Sequence, residues 1–248
     1  MTTDEQPPAT GSESPSSTSV DGTTGETPPG PISRVSRPKE AARDWYDAIS
    51  RWYETFADPF EEPARAAGVD LLDARPGERV LDVGCGTGTA LVALSDAVGP
   101  GGTAVGIDLA AGMCRVSRTT LADAGLDHGV VVRGDAATLP FEDDAFDALF
   151  VSFVLELFDT PEMLAVLREW QRVLAPGGRL CVVSLSRRGD GPATWLYESV
   201  RTLAPTYADC RPIYVRDTLR EAGFRIDDTR EETVWVFPVE IVRCRLEP

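Results

Sequence analysis

An apolar strand that runs directly into three alternating glycines constrains the fold of this chain more than any other feature. The residues are Val80-Leu81-Asp82-Val83-Gly84-Cys85-Gly86-Thr87-Gly88. Glycine has no Cβ, so the backbone can turn sharply here and a ligand can lie directly against the main chain. The residues from Thr89 onward predict a helix whose first amides would face that ligand and favour an anionic group. The segment therefore predicts a strand, loop and helix that bind a ligand at the loop.

The spacing of these glycines argues against two common nucleotide-binding loops. A dinucleotide fingerprint, Gly-x-Gly-x-x-Gly, would need a third glycine where the chain has Thr89 or Leu91. A Walker-type phosphate loop would need Gly-Lys-Ser/Thr, and Lys39 is the only lysine in the chain. A single lysine at position 39 also supplies no Tyr-x-x-x-Lys pair. A nicotinamide-dependent oxidoreductase is therefore the distant alternative, and a nucleoside triphosphate is a poor candidate ligand.

Carboxylates follow the next two predicted strands. Ala104-Val105-Gly106-Ile107-Asp108 ends in an acidic residue 20 residues after Gly88, where a carboxylate can accept hydrogen bonds from ribose hydroxyls. A third strand, Val130-Val131-Val132-Arg133, leads into Gly134-Asp135-Ala136. In open α/β sheets, ligands bind in the crevice at the carboxyl ends of the strands. The glycine loop and the two carboxylates are thus expected to share one nucleoside site.

Together these motifs resemble those of the class I S-adenosylmethionine-dependent methyltransferases. Asp-x-Gly-x-Gly-x-Gly after an apolar strand resembles the first motif of that family, and Gly134-Asp135-Ala136 resembles its adenine-binding turn. The runs 139–150 and 172–180 resemble the branch that includes the methyltransferases of ubiquinone and menaquinone biosynthesis. The resemblance covers about residues 40 to 245. It implies S-adenosylmethionine as the cofactor, whose sulfonium and ammonium cations and lack of phosphate suit an acidic site.

The resemblance also assigns roles to residues of the site. Asp108 is expected at the ribose, and Asp135 with Ala136 at the adenine. Asp82 has two open roles, since it can hold the glycine loop through hydrogen bonds or contact the ammonium group of the cofactor. The cofactor carboxylate is expected near the amides after Gly86. The predicted cofactor-binding residues are Asp82, Gly84, Cys85, Gly86, Gly88, Asp108, Leu109, Asp135, Ala136 and Ser152.

The catalytic residues are less well defined than the cofactor site. Methyl transfer is a direct displacement in which positioning supplies most of the rate enhancement, so the reaction does not demand a protein base. Family members often carry a histidine just after the fourth strand, whereas this chain has Val154-Leu155-Glu156-Leu157-Phe158. Glu156 is a candidate to orient or deprotonate an acceptor hydroxyl, and a salt bridge or a helix-start carboxylate is its structural alternative. His128, the only histidine, is predicted at the sheet edge opposite the crevice.

Two segments are predicted to cover the acceptor side of the crevice. The helix expected from Trp45 to Tyr53 resembles the Tyr-Asp-x-x-Ser-x-x-Tyr segment of the quinone methyltransferase branch. The second segment is an insertion at residues 186–212. Core packing is the alternative for any single aromatic residue, but together they predict an apolar or aromatic acceptor, such as a quinone ring carbon or a phenolic oxygen. The acceptor-side candidates are Tyr46, Tyr53, Trp195, Tyr207 and Arg211.

Alternating strand and helix patterns predict a doubly wound, Rossmann-like α/β fold. The resemblance implies a seven-stranded, mostly parallel sheet with an antiparallel C-terminal strand. Among the helices, the one from Pro161 is best defined, with Thr160 as its expected N-cap and an apolar stripe that reaches Leu174. Strands are expected near residues 79–83, 103–107, 130–133, 147–152, 179–185, 224–236 and 239–245, and a last helix over 213–222.

Composition limits the domain organisation and the partners. Residues 1–38 are rich in Ser, Thr, Pro, Gly and Glu and are expected to be disordered, whereas 39–248 are expected to form one catalytic domain. No secretory signal or membrane span is evident, which predicts a cytoplasmic protein. A net charge of -16 makes nucleic acid a poor partner, and five cysteines without Cys-x-x-Cys spacing predict neither zinc nor disulfides. A non-catalytic or regulatory S-adenosylmethionine-binding protein is the alternative to a small-molecule methyltransferase.

Overall fold

The structure is a computed structural model that describes residues 1, 41, 43–49, 58–187, 211–234 and 237–246. Several sequence predictions lie outside these residues. They concern the tail at 1–38, the acceptor-side candidates Tyr53, Trp195 and Tyr207, and most of the insertion at 186–212. These predictions remain untested.

The described chain alternates strands and helices from α2 onward. A helix at residues 43–49 (α1) precedes this alternation. The other elements are α2 (Asp58–Leu72), β1 (Arg79–Val83), α3 (Thr89–Val98), β2 (Thr103–Asp108), α4 (Ala111–Asp123), β3 (Gly129–Arg133), β4 (Phe146–Ser152), a 3-10 turn (Leu155–Leu157), α5 (Thr160–Val173), β5 (Leu174–Leu185), α6 (Val215–Glu221), β6 (Phe224–Val234) and β7 (Phe237–Leu246).

The strands form one seven-stranded sheet in the order β3-β2-β1-β4-β5-β7-β6. Neighbouring strands are parallel from β3 through β5, and β7 is antiparallel to both of its neighbours, β5 and β6. The chain reverses direction across the sheet at β1, because β2 lies on one side of it and β4 on the other. The carboxyl ends of β1, β2 and β4 therefore meet at one switch point, where ligands bind in open α/β sheets. The predicted fold is confirmed.

Helices cover both faces of the sheet, so most side chains of the central strands β1 and β4 are buried. Along β1, Leu81 and Val83 belong to the core cluster that includes α5 and α6, whereas Val80 belongs to the cluster that includes α2 and α3. Strand β4 divides in the same way, with Leu149 on the first face and Phe150 on the second. This near-continuous burial is typical of parallel strands between two helical layers.

The ends of α5 differ from the sequence prediction. Asp159, not Thr160, is the N-cap, because Asp159 keeps an extended backbone and its amide donates to the Glu162 carboxylate at 3.3 Å. At the other end, Leu174 has left the apolar helical stripe and begins β5, where it pairs with Phe146 before a bulge. The predicted helix is therefore right in position, but its last apolar residue belongs to the sheet.

Within the described ranges, no helix is long and apolar enough to cross a membrane.

Candidate cofactor site

A cavity of about 790 Å³ opens at the carboxyl ends of β1, β2 and β4. Its size is in the range of sites for small molecules and cofactors. It brings together almost all of the predicted cofactor-binding residues, which come from four separate stretches of sequence, and the acceptor-side candidate Tyr46. The predicted residues that line it are Tyr46, Asp82, Gly84, Cys85, Gly86, Asp108, Leu109, Asp135, Ala136 and Ser152.

The glycine loop has a left-handed backbone at all three glycines, with φ of 73° at Gly84, 52° at Gly86 and 88° at Gly88. A Cβ on Gly84 would lie 2.3 Å from Val154 Cγ2, and one on Gly88 would lie 2.5 Å from Ser117 Oγ. These two glycines let the segment after β4 and helix α4 pack closely against the loop. A Cβ on Gly86 would meet only a backbone oxygen at 4.0 Å, so this glycine leaves space on the cavity side. Gly88 does not line the cavity and acts through packing.

Asp108 ties the end of β2 to the glycine loop and to the start of α4. Its Oδ2 accepts a hydrogen bond from the Gly86 amide at 3.0 Å, and its Oδ1 accepts one from the Ala110 amide at 2.8 Å. Burial raises the pKa of Asp108 to about 6, although both amides oppose the rise. Each carboxylate oxygen has a second lone pair, so Asp108 can still accept two further hydrogen bonds.

Asp82 and Ser152 present buried oxygens to the cavity. Asp82 is 2% exposed, and its Oδ2 has no hydrogen-bond partner in the described structure; the same holds for Ser152 Oγ. Burial raises the pKa of Asp82 to about 7, with Arg65 opposing the rise and Asp108 adding to it. A buried acceptor without a donor is costly unless a ligand completes it. These two atoms therefore mark a place for a hydrogen-bond donor or a cation.

Asp135 lies in a tight turn after β3. Its Oδ1 accepts from the Ala137 amide at 2.9 Å, and the Gly134 amide donates to the Asp108 carbonyl at 3.0 Å. The second bond joins the two turns that carry the acidic residues. From the opposite side, Trp170 of α5 donates its indole N–H to the Ala136 carbonyl at 2.9 Å, which fixes the turn.

Phe153 follows β4 in a conformation that the sequence did not predict. Its φ of 55° is uncommon for a residue with a side chain, and its amide donates to the Val183 carbonyl at 2.8 Å. Such a conformation costs roughly 1 to 3 kcal/mol and is found most often at functional sites. The turn directs the chain from Ser152 over the cavity, so that Phe153, Val154 and Leu157 form an apolar wall.

Arg65 is the main site residue that sequence reasoning missed. It lies on α2, 8% exposed, and its guanidinium donates to Glu61 at 2.9 Å and to Glu62 at 3.0 Å while lining the cavity. Its attraction for Asp82 places a positive charge near the end of β1. No motif marks an arginine 14 residues before the start of the next strand, so only the packing of α2 on the sheet reveals it.

Besides Gly88, two described candidates from the sequence, Glu156 and Arg211, do not line the cavity. Glu156 is fully buried behind it, with Oε1 accepting from the Leu185 amide at 3.3 Å, and burial raises its pKa to about 7. Arg211 is 1% exposed and donates to the carbonyls of Glu156 and Phe158, so it supports the cavity wall from outside. His128 bonds the Ser95 carbonyl at the opposite edge of the sheet, as the sequence predicted.

Comparison with known proteins agrees with this geometry. Residues 80–178 match a family model described as a methyltransferase domain. Nocamycin O-methyltransferase from Saccharothrix syringae is 38% identical over 135 residues, which cover 54% of this chain and 48% of that protein. Demethylmenaquinone methyltransferase from Bacillus cytotoxicus is 32% identical over 153 residues, which cover 60% of this chain and 64% of the relative. The chain thus spans only 48% and 64% of the length of these two relatives.

A solved structure extends the similarity across the fold. Magnesium protoporphyrin IX methyltransferase from Synechocystis, with bound S-adenosylhomocysteine, aligns with a TM-score of 0.68 at 19% identity and covers 85% of this chain and 100% of its own. Identity this low supports the fold alone. The matched domain, the relatives and the sheet order agree with the family predicted from the glycine loop and the two carboxylates. Over residues 80–178 the chain is therefore similar to methyltransferase domains, and its curated relatives include demethylmenaquinone methyltransferases.

Proposed function

We propose that this protein binds S-adenosylmethionine in the cavity and transfers its methyl group to a small acceptor. The observation that carries the proposal is the pair of buried, unpartnered oxygens on Asp82 and Ser152. They lie beside a glycine that leaves its side of the loop open. A ligand with an ammonium group at this point donates hydrogen bonds to both oxygens, and its positive charge offsets the negative charge of the buried carboxylate.

The charges around the cavity favour a cationic ligand without phosphate. Two guanidinium groups, of Arg43 and Arg65, face a larger number of carboxylates. A pyrophosphate would add negative charge to this set, whereas a sulfonium cation reduces the net charge. The acidic residues that line the cavity are Glu61, Asp82, Asp108, Asp135, Asp159 and Glu162.

Each end of the cofactor has matching groups in the proposed site. Asp82 receives the ammonium, while Arg65 and the first amides of α3 receive the carboxylate. Asp108 accepts both ribose hydroxyls through its remaining lone pairs, and Asp135 accepts from the exocyclic amine of the adenine. The methyl group then points toward the carboxyl ends of β1 and β4.

The chemistry requires little of the protein beyond placement. The bound cofactor supplies an electrophilic methyl on a sulfonium, and displacement needs the acceptor atom in line with the methyl–sulfur bond. In this scheme Asp82 and Asp108 fix the cofactor against the glycine loop. The apolar wall of Phe153, Val154 and Leu157 keeps water from the reacting atoms. Because placement supplies most of the rate enhancement in such a displacement, the proposed mechanism assigns no general base.

For the acceptor, we propose a small apolar or aromatic molecule of the quinone or phenol class. Tyr46 and the apolar wall give one side of the cavity an unsaturated, water-excluding surface. The relatives named above act, by their names, on demethylmenaquinone and on nocamycin. A small-molecule rather than a nucleic-acid substrate, and a cytoplasmic location, remain predictions from the sequence.

Calorimetry with S-adenosylmethionine and with NAD tests the cofactor. We expect S-adenosylmethionine to bind and NAD not to bind. Asp108→Ala is expected to weaken the affinity by roughly 1 to 3 kcal/mol, because a charged hydrogen-bond partner is lost. Asp143→Ala is the matched control, since that carboxylate is 74% exposed and pairs with Arg172 away from the cavity. Binding of NAD alone would refute the proposal.

Mass spectrometry of cell extract tests the transfer itself. After incubation with the cofactor, the lipid-soluble fraction is expected to contain a product one CH₂ heavier than its precursor. Wild-type protein and Asp108→Ala are compared at the same concentration. Tight cofactor binding without any methylated product in lipid or aqueous fractions would favour the regulatory, non-catalytic alternative.

A further inference from the structure

Helix α4 begins without a cap of its own. The residue at its N-cap is Ala110, whose side chain cannot accept a hydrogen bond, and its first turn contains no acidic residue. The first amides of a helix need acceptors. Two carboxylates from elsewhere supply them. Asp108 accepts from the Ala110 amide at 2.8 Å, and Asp47 accepts from the Gly112 amide at 2.5 Å.

Asp47 takes the place that an N-cap side chain normally occupies. An N-cap oxygen bonds the second or third amide of its helix, and Gly112 is the second residue of α4. Asp47, however, precedes Gly112 by 65 positions and belongs to α1. The bond therefore joins two separate helices. A carboxylate at this end of a helix also interacts favourably with the helix dipole.

The residues around this bond form one wall of the cavity. From α1, Arg43 and Tyr46 line it, and from the start of α4, Ala110 and Met113 do. Asp44 of α1 lies on the exposed side of the helix. The face of α1 that carries Asp47 is thus the face turned toward α4 and the cavity.

We infer that Asp47 is a positioning residue that anchors α1 across the nucleoside end of the cavity, so that the anchor and the bound cofactor stabilise each other. This inference rests on the proposed function, because it assumes that a nucleoside lies against Asp108. Asp47 and Asp108 cap neighbouring amides of the same helix start, so a ligand held by Asp108 lies directly under α1. Coupling of this kind is reciprocal in free energy: α1 raises the affinity for the ligand, and the bound ligand stabilises the docked α1 by the same amount.

The test measures the release of two nucleosides that differ in one part. S-adenosylhomocysteine carries the amino-acid end, and 5′-methylthioadenosine lacks it. Stopped-flow dissociation is measured for the wild type, Asp47→Ala, Asp47→Asn and Asp44→Ala. In Asp47→Ala both ligands are expected to dissociate about tenfold faster, the usual size of one charge-assisted hydrogen bond. Asp47→Asn keeps an acceptor oxygen and is expected to restore most of the slow release, and Asp44→Ala should match the wild type.

Hydrogen exchange of wild-type protein gives a second measurement that needs no variant. The amides at 43–49 are expected to exchange more slowly when 5′-methylthioadenosine is bound. A purely structural cap would leave this protection and both release rates unchanged, which would overturn the inference. Faster release of S-adenosylhomocysteine alone would also overturn it, because α1 would then act at the amino-acid end. Wild-type protein that binds neither ligand would refute the proposed function itself.

Discussion

The carboxylates at the two ends of β1 lie in opposite environments, because one is paired with an arginine and the other has an oxygen without a partner. Just before the strand, Glu78 receives hydrogen bonds from both terminal nitrogens of Arg179, at 2.9 and 2.6 Å. Burial works against the ionised form there, but the Arg179 guanidinium and the Arg75 amide hold the pKa of Glu78 below its usual value. Arg179 also donates to the Leu72 carbonyl at 2.7 Å, which fastens the end of α2 to β5.

At the other end of the same strand, Asp82 is more deeply buried and has an oxygen without a partner. Its pKa is raised to about 7, so the ionised form is destabilised when no ligand is present. The carboxylate at the amino end of β1 is therefore paired within the protein, whereas the one at the carboxyl end has an oxygen without a partner. Under the proposed function, the first end contributes stability and the second receives a cation.

The largest expected effect is the loss of stability on removing the charge at the amino end. Arg179→Met leaves Glu78 without its partner and two backbone carbonyls without a donor. We expect the free energy of unfolding to fall by about 3 kcal/mol, the typical cost of breaking a buried pair. Urea denaturation measures it. Arg75→Met, at an exposed pair with Asp73, is the control and should unfold like the wild type. Equal stability of both variants would contradict the comparison.

The second prediction concerns the Asp82 carboxylate at the carboxyl end of β1, which has an oxygen without a partner. Asp82→Asn is expected to weaken S-adenosylmethionine binding by about 2 kcal/mol, because the ammonium loses a charged acceptor. The ligand-free variant is expected to be more stable than the wild type at pH 8, where the native carboxylate is ionised and unpaired. Calorimetry and denaturation give the two numbers. A variant that loses stability along with affinity would show that Asp82 serves the fold.

A third prediction concerns pH. Because the pKa values of Asp82 and Asp108 are raised to about 7 and about 6, the ligand-free protein binds more protons than its unfolded state between pH 4 and 7. These two groups therefore stabilise the ligand-free protein as the pH falls through this window. Binding of the cationic cofactor needs both ionised, so its affinity is expected to fall about tenfold from pH 7.5 to 6. Titration calorimetry at several pH values measures it, with Asp82→Asn as the control of shallower slope.

The smallest expected effect comes from two glycine substitutions. Together they separate the cost of backbone strain from the loss of space for the ligand. Gly86→Ala and Gly223→Ala both place alanine at a positive φ, of 52° and 90°, with no atom closer than 4.0 Å to the new Cβ. Each is expected to cost about 1 kcal/mol of stability. Only Gly86→Ala should also weaken the cofactor, because its Cβ enters the space on the cavity side of the loop. If both variants bound the cofactor like the wild type, Gly86 would have no part in the site.

Much of the fold followed from local pattern. The strands at 79–83 and 103–107 were predicted to within one residue, because buried parallel strands are short apolar runs bounded by glycine and acidic residues. Where the pattern misled, a neighbour decided the outcome. Leu174 fits the apolar stripe of α5, yet it pairs with Phe146 in the sheet, and nothing in the local sequence shows that pairing.

The site shows the same division. Asp108 could be assigned in advance because its distance from the glycine loop in sequence is fixed by the βαβ unit. Arg65 could not, because it lines the cavity from a helix that precedes β1 and carries no motif. Asp47 lies in a segment with a motif, but its bond to the Gly112 amide, 65 positions away, depends on tertiary packing. Arg211 is of a residue type that often binds ligands. Its three guanidinium nitrogens, however, donate to the carbonyls of Glu156 and Phe158 and to the hydroxyl of Thr160.

The sequence by itself determined the loop, the order of strands and helices, and the nucleoside class that fits three glycines followed by two spaced carboxylates. These depend on neighbours within about 30 residues, whose geometry is set by standard strand, turn and helix dimensions. The tertiary structure alone decided which carboxylates have hydrogen-bond partners and which have an oxygen without one. Partners such as Arg179 and Glu78, 101 positions apart, meet only when the sheet has formed. The protonation of Asp82 depends on that packing, because burial and the absence of a partner arise together in the folded protein.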